Sequence, residues 1–317
     1  MYIVTGGAGF IGANLVDVLN RRGDTNILVV DDLKQGDKFY NLRDLLIADY
    51  MDQGEFKKSI RGGLFRNTRV RAIFHQGACS DTMESDGRYM MENNFTYSKE
   101  LFHFALEQNI PFIYASSAAT YGGSASFTEH PDNEKPLNVY GYSKLLFDQY
   151  VLRHMARATA SVAGLRYFNV YGPRECHKGR MASMVHQLHR QLRTTGVARL
   201  FAGSGGYGDG EQERDFIYVE DVVKVNLFLA ESGAIRGIFN VGTGVSRSFN
   251  AVAQTLIRQL GRGEIHYIPM PDALREKYQN FTRADVSRLR AIGYDSPFHS
   301  LEEGIQACLH AEPCPTP

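Results

Sequence analysis

The sequence has no surplus of charge: across 317 residues, 35 Lys and Arg stand against 35 Asp and Glu. A balanced surface exerts no long-range pull on polyanions, which argues against nucleic acid or an anionic membrane as partner. Long apolar runs are also missing, and none approaches the ~18–20 residues a membrane-spanning helix needs. The stretch from Met1 to Gly6 has no basic segment leading into an apolar one, so no secretory signal is read there. Cysteine is scarce. Cys79, Cys176, Cys308 and Cys314 fall in no metal-ligand spacing and form no disulfide framework, which predicts reduced thiols, no metal and a cytoplasmic setting. Repeats and low-complexity tracts are absent, and only the tail, residues 311–317, reads as disordered. The chain suffices for one large α/β domain with a smaller lobe, or for two domains.

Glycine is where the sequence becomes specific. Tyr2-Ile-Val4 is a short apolar run that ends in Thr5-Gly-Gly-Ala-Gly-Phe-Ile-Gly12, after which Ile11, Leu15, Val18 and Leu19 recur at helical spacing. Strand, glycine turn and helix together form the context in which Gly6, Gly9 and Gly12 bind a dinucleotide. The first allows the tight turn, the second lets backbone approach a pyrophosphate, and the third lets helix pack on strand. A second strand, Ile27 to Val30, ends in Asp31 and Asp32. Asp31 follows Gly12 by about the ~20 residues expected of the acid that binds the adenine ribose. That acid favours NAD, whereas Lys34 and Lys38 suit a 2′-phosphate, so both cofactors stay open here. Asp49 reads either as a cap on the adenine end of the site or as a solvated loop acid.

Further strands are expected at Ala72–Phe74, Pro111–Tyr114, Val162–Arg166, Arg214–Val219 and from Ile238, with helices between them, one from Met181 to about Arg193. The fold class is α/β, a doubly wound parallel sheet with a smaller α/β substrate lobe. The dinucleotide domain is placed at residues 1–171 plus about 215–250, and the lobe at 172–214 and 251–310. His75, at a strand end, reads as a structural hydrogen-bonding residue. Asn94 reads as a brace for the active-site backbone or as an exposed helix residue, and Asp221 as the cap of the helix after it. Ser116, Ser117 and Thr120 fall beyond a strand's carboxyl end, where a hydroxyl can donate to a substrate oxygen.

Tyr140 and Lys144 lie four residues apart and so share one helix face, with Asn138 as N-cap. A phenol with a pKa of ~10 is a weak base at neutral pH, and one nearby cation lowers it by roughly 1–3 units. Taken alone, the pattern favours a surface Tyr/Lys pair on an amphipathic helix.

Five stretches together resemble the extended short-chain dehydrogenase/reductase superfamily, with its Rossmann fold. They are Thr5–Gly12, Ala115-Ser-Ser-Ala118, Tyr140-x-x-x-Lys144, Arg166-Tyr-Phe-Asn-Val-Tyr-Gly-Pro173 and Arg214-Asp-Phe-Ile-Tyr-Val-Glu-Asp221. Within it, Phe112–Gly123, Lys135–Lys144 and Gly172-Pro-Arg-Glu-Cys-His-Lys-Gly-Arg-Met-Ala-Ser183 resemble the 6-epimerases of ADP-heptose. The resemblance implies inversion of C6 of ADP-D-glycero-D-manno-heptose for the lipopolysaccharide core. It also implies a tightly bound NADP, with NAD as the alternative, and a homo-oligomer, a pentamer by the family's habit.

Carried over by position, Tyr140 and Lys178 are the two acid/bases, Lys144 holds the ribose and lowers the Tyr140 pKa, and Ser117 bonds the reacting oxygen. Gly6, Gly9, Phe10, Ile11, Gly12, Asp31, Asp32, Lys38, Gln76, Gly77, Ala78, Cys79, Ser80, Asn93, Lys144 and Val170 fall on the cofactor. Asn169, Arg180, Gln187, Phe201, Ala202, Gly203, Ser204, Arg214 and Tyr278 fall on the substrate. Arg214 also reads as a structural ion pair with Asp215 or Glu213. Asp32 and Gln53 depart from the family's Asn and Lys, Arg180 from a small hydroxyl residue and Gln187 from a histidine. The loop Gly205–Glu213 is longer than the family's. Another sugar-nucleotide epimerase or dehydratase, such as a 4-epimerase, and a non-catalytic dinucleotide sensor are the other readings.

Overall fold

The computed structural model describes residues 1–271 and 278–311. The rest of the tail, Glu312–Pro317, lies outside the described residues. The first six strands are β1 (Tyr2–Thr5), β2 (Ile27–Asp31), β3 (Asp49–Asp52), β4 (Ala72–His75), β5 (Phe112–Ser117) and β6 (Val162–Tyr167). The later ones are β7 (Asn169–Tyr171), β8 (Val197–Phe201), β9 (Glu213–Tyr218), β10 (Arg236–Val241), β11 (Ser246–Ser248) and β12 (Glu264–Ile268). The main helices are α1 (Phe10–Arg21), α2 (Gln53–Arg61), α3 (Gly87–Met91), α4 (Tyr97–Glu107), α5 (Val139–His154), α6 (Met184–Thr195), α7 (Val219–Glu231) and α8 (Phe249–Leu260).

Seven strands pair in the order β10-β6-β5-β4-β1-β2-β3, all parallel. A parallel sheet is covered on both faces, so its strands must be apolar on both. The side chains obey the two-residue period: Tyr2, Val4, Ile27, Val29 and Phe74 pack with α1 and α7. Their neighbours Ile3, Leu28, Val30 and Ile73 point the other way, to Leu101 and Phe102 of α4 and to Phe147 and Val151 of α5. Each such large side chain, fully buried, stabilises by roughly 1.5–3 kcal/mol. A separate cluster joins Val185, Leu188 and Leu192 of α6 to Leu200, Phe216, Phe249, Val252 and Leu256. Small sheets β11-β9-β7 and β12-β8 accompany it.

Four local expectations change. Asp49 begins an edge strand, β3, whose side chains are half-buried or exposed, because an edge needs no apolar run. The helix expected from Met181 starts at Met184, since Ser183 caps it and the preceding residues form a 3-10 turn. Asp221 lies in the first turn of α7 and is not its cap; its carboxylate accepts from the His299 backbone N–H at 2.7 Å and lies 2.8 Å from His299 Nδ1. Cys79 and Cys308 are free thiols, but Cys176 is disulfide-bonded. Pairing depends on approach in space, which spacing along the chain does not reveal. Among the described residues no helix is long and apolar enough to cross a membrane, and no cluster of His, Cys, Asp and Glu has the makings of a metal site.

Candidate active site

The order of the sheet reverses between β1 and β4, which opens a crevice beyond their carboxyl ends. The loops leaving the two strands touch there. A Cβ on Gly6, which has φ +66°, would come 2.6 Å from the Gly77 backbone nitrogen, and one on Gly12 would come 2.1 Å from the Gly6 carbonyl oxygen. Gly9 is the N-cap of α1 and no side chain caps the helix, so the N–H groups of its first turn are left for an anion. These residues fit a dinucleotide's pyrophosphate.

Asp31, at the end of β2, is already engaged: Oδ2 accepts from the Ala8 N–H at 2.9 Å. Its Oδ1 accepts from the Asp32 N–H at 2.7 Å and from Lys38 Nζ at 2.9 Å. Lys38 also reaches the Asp32 carbonyl and carboxylate, at 3.0 and 3.3 Å. Burial alone would lower the Lys38 pKa, but the two carboxylates more than offset it and raise it.

Below the Gln76–Ser80 turn lies a buried relay. Ser98 Oγ donates to the Asn94 carbonyl, so it must accept from Nε2–H of His75 at 2.8 Å. The His75 Nδ1 is then an acceptor, and Thr5 Oγ1 donates to it at 2.6 Å. Thr5 Oγ1 accepts in turn from the Gly77 N–H. Burial holds the His75 pKa down at about 3, so the ring is neutral and structural. Asn94 braces the turn as read from the sequence, accepting from Cys79 N–H at 2.8 Å and donating to its carbonyl at 2.9 Å. Asn93 donates to the Tyr89 carbonyl, and Gln76 is tied to Asn226 and Tyr167. Ser80 is exposed at the turn's far end.

Asn138 caps α5, its Oδ1 accepting from the Gly141 N–H at 2.8 Å. The helix carries Tyr140, Lys144 and Asp148 on one face. Burial pushes the Tyr140 phenol above its ordinary range, while the Ser117 hydroxyl beside it works the other way. Lys144 is not among the groups that shift Tyr140; its Nζ donates to the Ala115 carbonyl at 2.8 Å. Burial brings the Lys144 pKa down to about 8, against the pull of Asp148. Asp148, fully buried, accepts from Tyr114, Ser116 and Arg166 at 3.0, 2.8 and 3.0 Å.

The segment after β7 brings Lys178 to the glycine loop. Arg174 pairs with Asp44 at 2.6 Å and donates to the Asn41 carbonyl at 2.8 Å, while Asn41 donates to the Ala8 carbonyl at 3.0 Å. Lys178 Nζ then lies 5.0 Å from the centroid of the Phe10 ring, at the first residue of α1. Burial lowers its pKa and Glu175, 3.8 Å away, raises it. Arg180 pairs with Asp81 at 2.8 Å, and the Gln187 amide donates to the carbonyls of Arg180 and Ala182.

Arg214 is buried in the cluster of α6 and α8. Its guanidinium lies over the rings of Tyr278 and Phe249, at 5.0 and 5.6 Å, and Nη1 donates to the Glu213 carbonyl. Asp215 is occupied by the N–H groups of Thr243, Gly244 and Ala284, and Glu213 by the Ser246 hydroxyl. Among the described residues Arg214 therefore forms neither of the expected ion pairs. Phe201 meets Tyr278 edge to face, the Ala202 carbonyl and Ser204 accept from Gln212, and Gly203 N–H donates to Asp209. Asn169 is exposed on β7 next to half-buried Val170. Glu175 and Asp148 were missed in the sequence; the spacing that brings each near its lysine, three and four residues, was the available signal.

The uncapped helix at the switch point and the Tyr/Lys pair of α5 beside the end of β5 define a dinucleotide-dependent enzyme. The model of the NAD dependent epimerase/dehydratase family matches residues 2–242, and the chain belongs to that family. The ADP-L-glycero-D-manno-heptose-6-epimerase of Alkalilimnicola ehrlichii is 57% identical over 313 residues, 98% of this chain and 97% of that protein. The crystal structure of the Helicobacter pylori enzyme of that name superposes with a TM-score of 0.84 at 32% identity, over 97% of this chain and 94% of that one. UDP-glucose 4-epimerase of Thermotoga maritima, with UDP-glucose, gives 0.80 at 30% identity over 97% of each chain.

Proposed function

We propose that the protein is an ADP-L-glycero-D-manno-heptose 6-epimerase, inverting C6 of ADP-D-glycero-D-manno-heptose. The carrying observation is that acid/base side chains arrive from two separate elements. Tyr140 comes on α5 beside Ser117, and Lys178 on the segment after β7, over Phe10. One base serves an alcohol on one face of a fixed nicotinamide; inversion needs a second for the other.

C6 has no adjacent carbonyl to acidify its hydrogen, so direct proton abstraction is hopeless. A nicotinamide dinucleotide, which the loop of Gly6, Gly9 and Gly12 would hold, would supply the reversible hydride chemistry that inversion at C6 needs. The residues do the rest. One of Tyr140 and Lys178 removes the hydroxyl proton as C6 is oxidised, the other returns a proton to the ketone oxygen as it is reduced, and Ser117 donates to that oxygen. Lys144 holds the ribose hydroxyls. Arg214, stacked between aromatic rings with no carboxylate partner among the described residues, is suited to a diphosphate. Residues 172–214 and 251–310 form the substrate lobe in this reading.

We infer NADP as the cofactor. An acid that selects NAD accepts from the ribose hydroxyls, but three of the about four acceptor sites of the Asp31 carboxylate are already used, two on Oδ1 and one on Oδ2. Lys38, kept charged, is the group for a 2′-phosphate. Mass spectrometry of the cofactor released on denaturation decides this, and NAD in the released fraction overturns it.

The activity is tested by NMR of the purified protein with ADP-D-glycero-D-manno-heptose in deuterium oxide. Conversion to the L-glycero isomer with C6 still carrying protium is expected. Extensive deuterium at C6 overturns direct return, and no conversion overturns the assignment. A 4-epimerase reading predicts turnover of a UDP-hexose and a Lys178→Met variant with full activity.

A further inference from the structure

Lys178 sits on a 3-10 turn beside Gly179, whose φ of +52° interrupts any helix, so the turn itself does little to fix the side chain. Glu175 stands three residues before it and is 1% exposed. Its carboxylate accepts from the Gly172 N–H at 3.1 Å, the Ser183 N–H at 2.6 Å and the Ser183 hydroxyl at 2.7 Å. Ser183 Oγ in turn accepts from the His186 N–H and caps α6. Burial raises the carboxyl pKa, and Lys178 and the donors of Ser183 and Gly172, which favour the ionised form, offset part of that rise. Its remaining polar neighbour is Lys178 Nζ, 3.8 Å from Oε2.

That distance is beyond a hydrogen bond and within an ion pair, so the ammonium keeps its donors free while feeling the charge. On its other side is the face of Phe10. The other titratable groups near Lys178 and Glu175 are His177, His186 and the Cys308 thiol. Burial lowers the two histidines and raises the thiol, leaving all three neutral at pH 7. Glu175 is thus the one negative charge facing Lys178 among the described residues.

Resting on the reading of Lys178 as second acid/base, we propose that Glu175 is a positioning residue for the epimerisation: locked by Gly172 and Ser183, its buried carboxylate fixes Lys178 over Phe10 and holds it as an ammonium. When Nζ gives its proton to the C6 oxygen, an N–H bond breaks and an O–H bond forms. The neutral amine then stays in place beside the carboxylate, ready to be protonated again.

The test is the pH dependence of kcat and KM for the native protein, Glu175→Gln, Glu175→Asp and Lys178→Met. Losing a positioning partner is expected to lower kcat by about 10–100-fold in Glu175→Gln, less than the ~10²–10⁴-fold of the base itself, with KM little changed. The limb of the profile that Lys178→Met abolishes should move to lower pH by roughly 1–3 units, since an opposite charge has been removed. Glu175→Asp should recover part of both effects. A native limb in Glu175→Gln, or a loss confined to KM, overturns the proposal. Where Glu175→Gln fails to show a cooperative melt, Glu175→Asp decides: a smaller shift of the same sign is expected, and an unmoved limb overturns. An inactive Lys178→Met beside a native-like Glu175→Gln sinks this inference alone, whereas a fully active Lys178→Met sinks the epimerase reading and this inference with it.

Discussion

At the residue scale the two candidate bases start from opposite ends. Burial makes Tyr140 a weaker acid and Lys178 a stronger one, so each moves toward its neutral form. A neutral phenol and an amine easily deprotonated suit a pair that exchange roles, one giving a proton as the other takes one. Tyr140→Phe and Lys178→Met remove one partner each while leaving the shape, and each is expected to lower kcat by ~10²–10⁴-fold. Neither side chain builds the glycine loop, so both variants should retain cofactor at the native stoichiometry, read from the absorbance of the denatured protein. Loss of cofactor in parallel with activity would assign them to binding.

At the scale of elements, α5 is the piece that must start at the right residue, since its first turn carries Tyr140. Asn138 sets that start. Asn138→Ala removes the bond to Gly141 N–H and is expected to cost about 0.5–2 kcal/mol, measured by urea unfolding, with Asn138→Ser recovering most of it. The glycine loop is the other such element. An alanine at Gly12 puts its Cβ 2.1 Å from the Gly6 carbonyl, and backbone cannot yield there as a flexible side chain would. Gly12→Ala is therefore expected to purify with little or no cofactor; full occupancy would show that the loop tolerates the change.

These two elements were legible in the sequence because their signals are local: a cap three residues from its target, and glycines at fixed spacing before a helical period. The parallel, doubly wound class of the sheet followed from the alternation of strands and helices. The strand at Asp49–Asp52 was not legible, because a polar edge strand has no run of buried residues to mark it. Asp221 misled for a related reason. An acid at a helix start resembles a cap, but its partner His299 is 78 residues away. Glu175 escaped because its role lies in Gly172 and Ser183 closing around it, and spacing does not show burial. Tyr140 and Lys144 were legible as a pair on one helix face. That Lys144 engages the Ala115 carbonyl, and that burial and Ser117 rather than Lys144 act on the phenol, depends on how the helix packs on β5.

For the molecule as a whole, the centre of the sheet carries a pH-dependent contribution. His75 ties β4 to Thr5 of β1 and Ser98 of α4, and it does so neutral, with both ring nitrogens committed. Protonation would put a second N–H against the Thr5 hydroxyl, which now donates, and a charge where no water reaches. The folded pKa is depressed to about 3 from an ordinary 6.5, so the unfolded chain binds the proton first. Stability from this group is therefore fully present above about pH 6.5 and declines as pH falls from there toward about 3. At 1.36 kcal/mol per unit, the full loss is roughly 4–5 kcal/mol, a large share of the ~5–15 kcal/mol that holds a domain folded. Urea unfolding from pH 7.5 to 4.5 should show the midpoint falling with acid. His75→Gln, which keeps a donor and an acceptor but does not titrate, should begin less stable and lose less over the same range. Parallel slopes for the two proteins would place the acid sensitivity in the carboxylates instead.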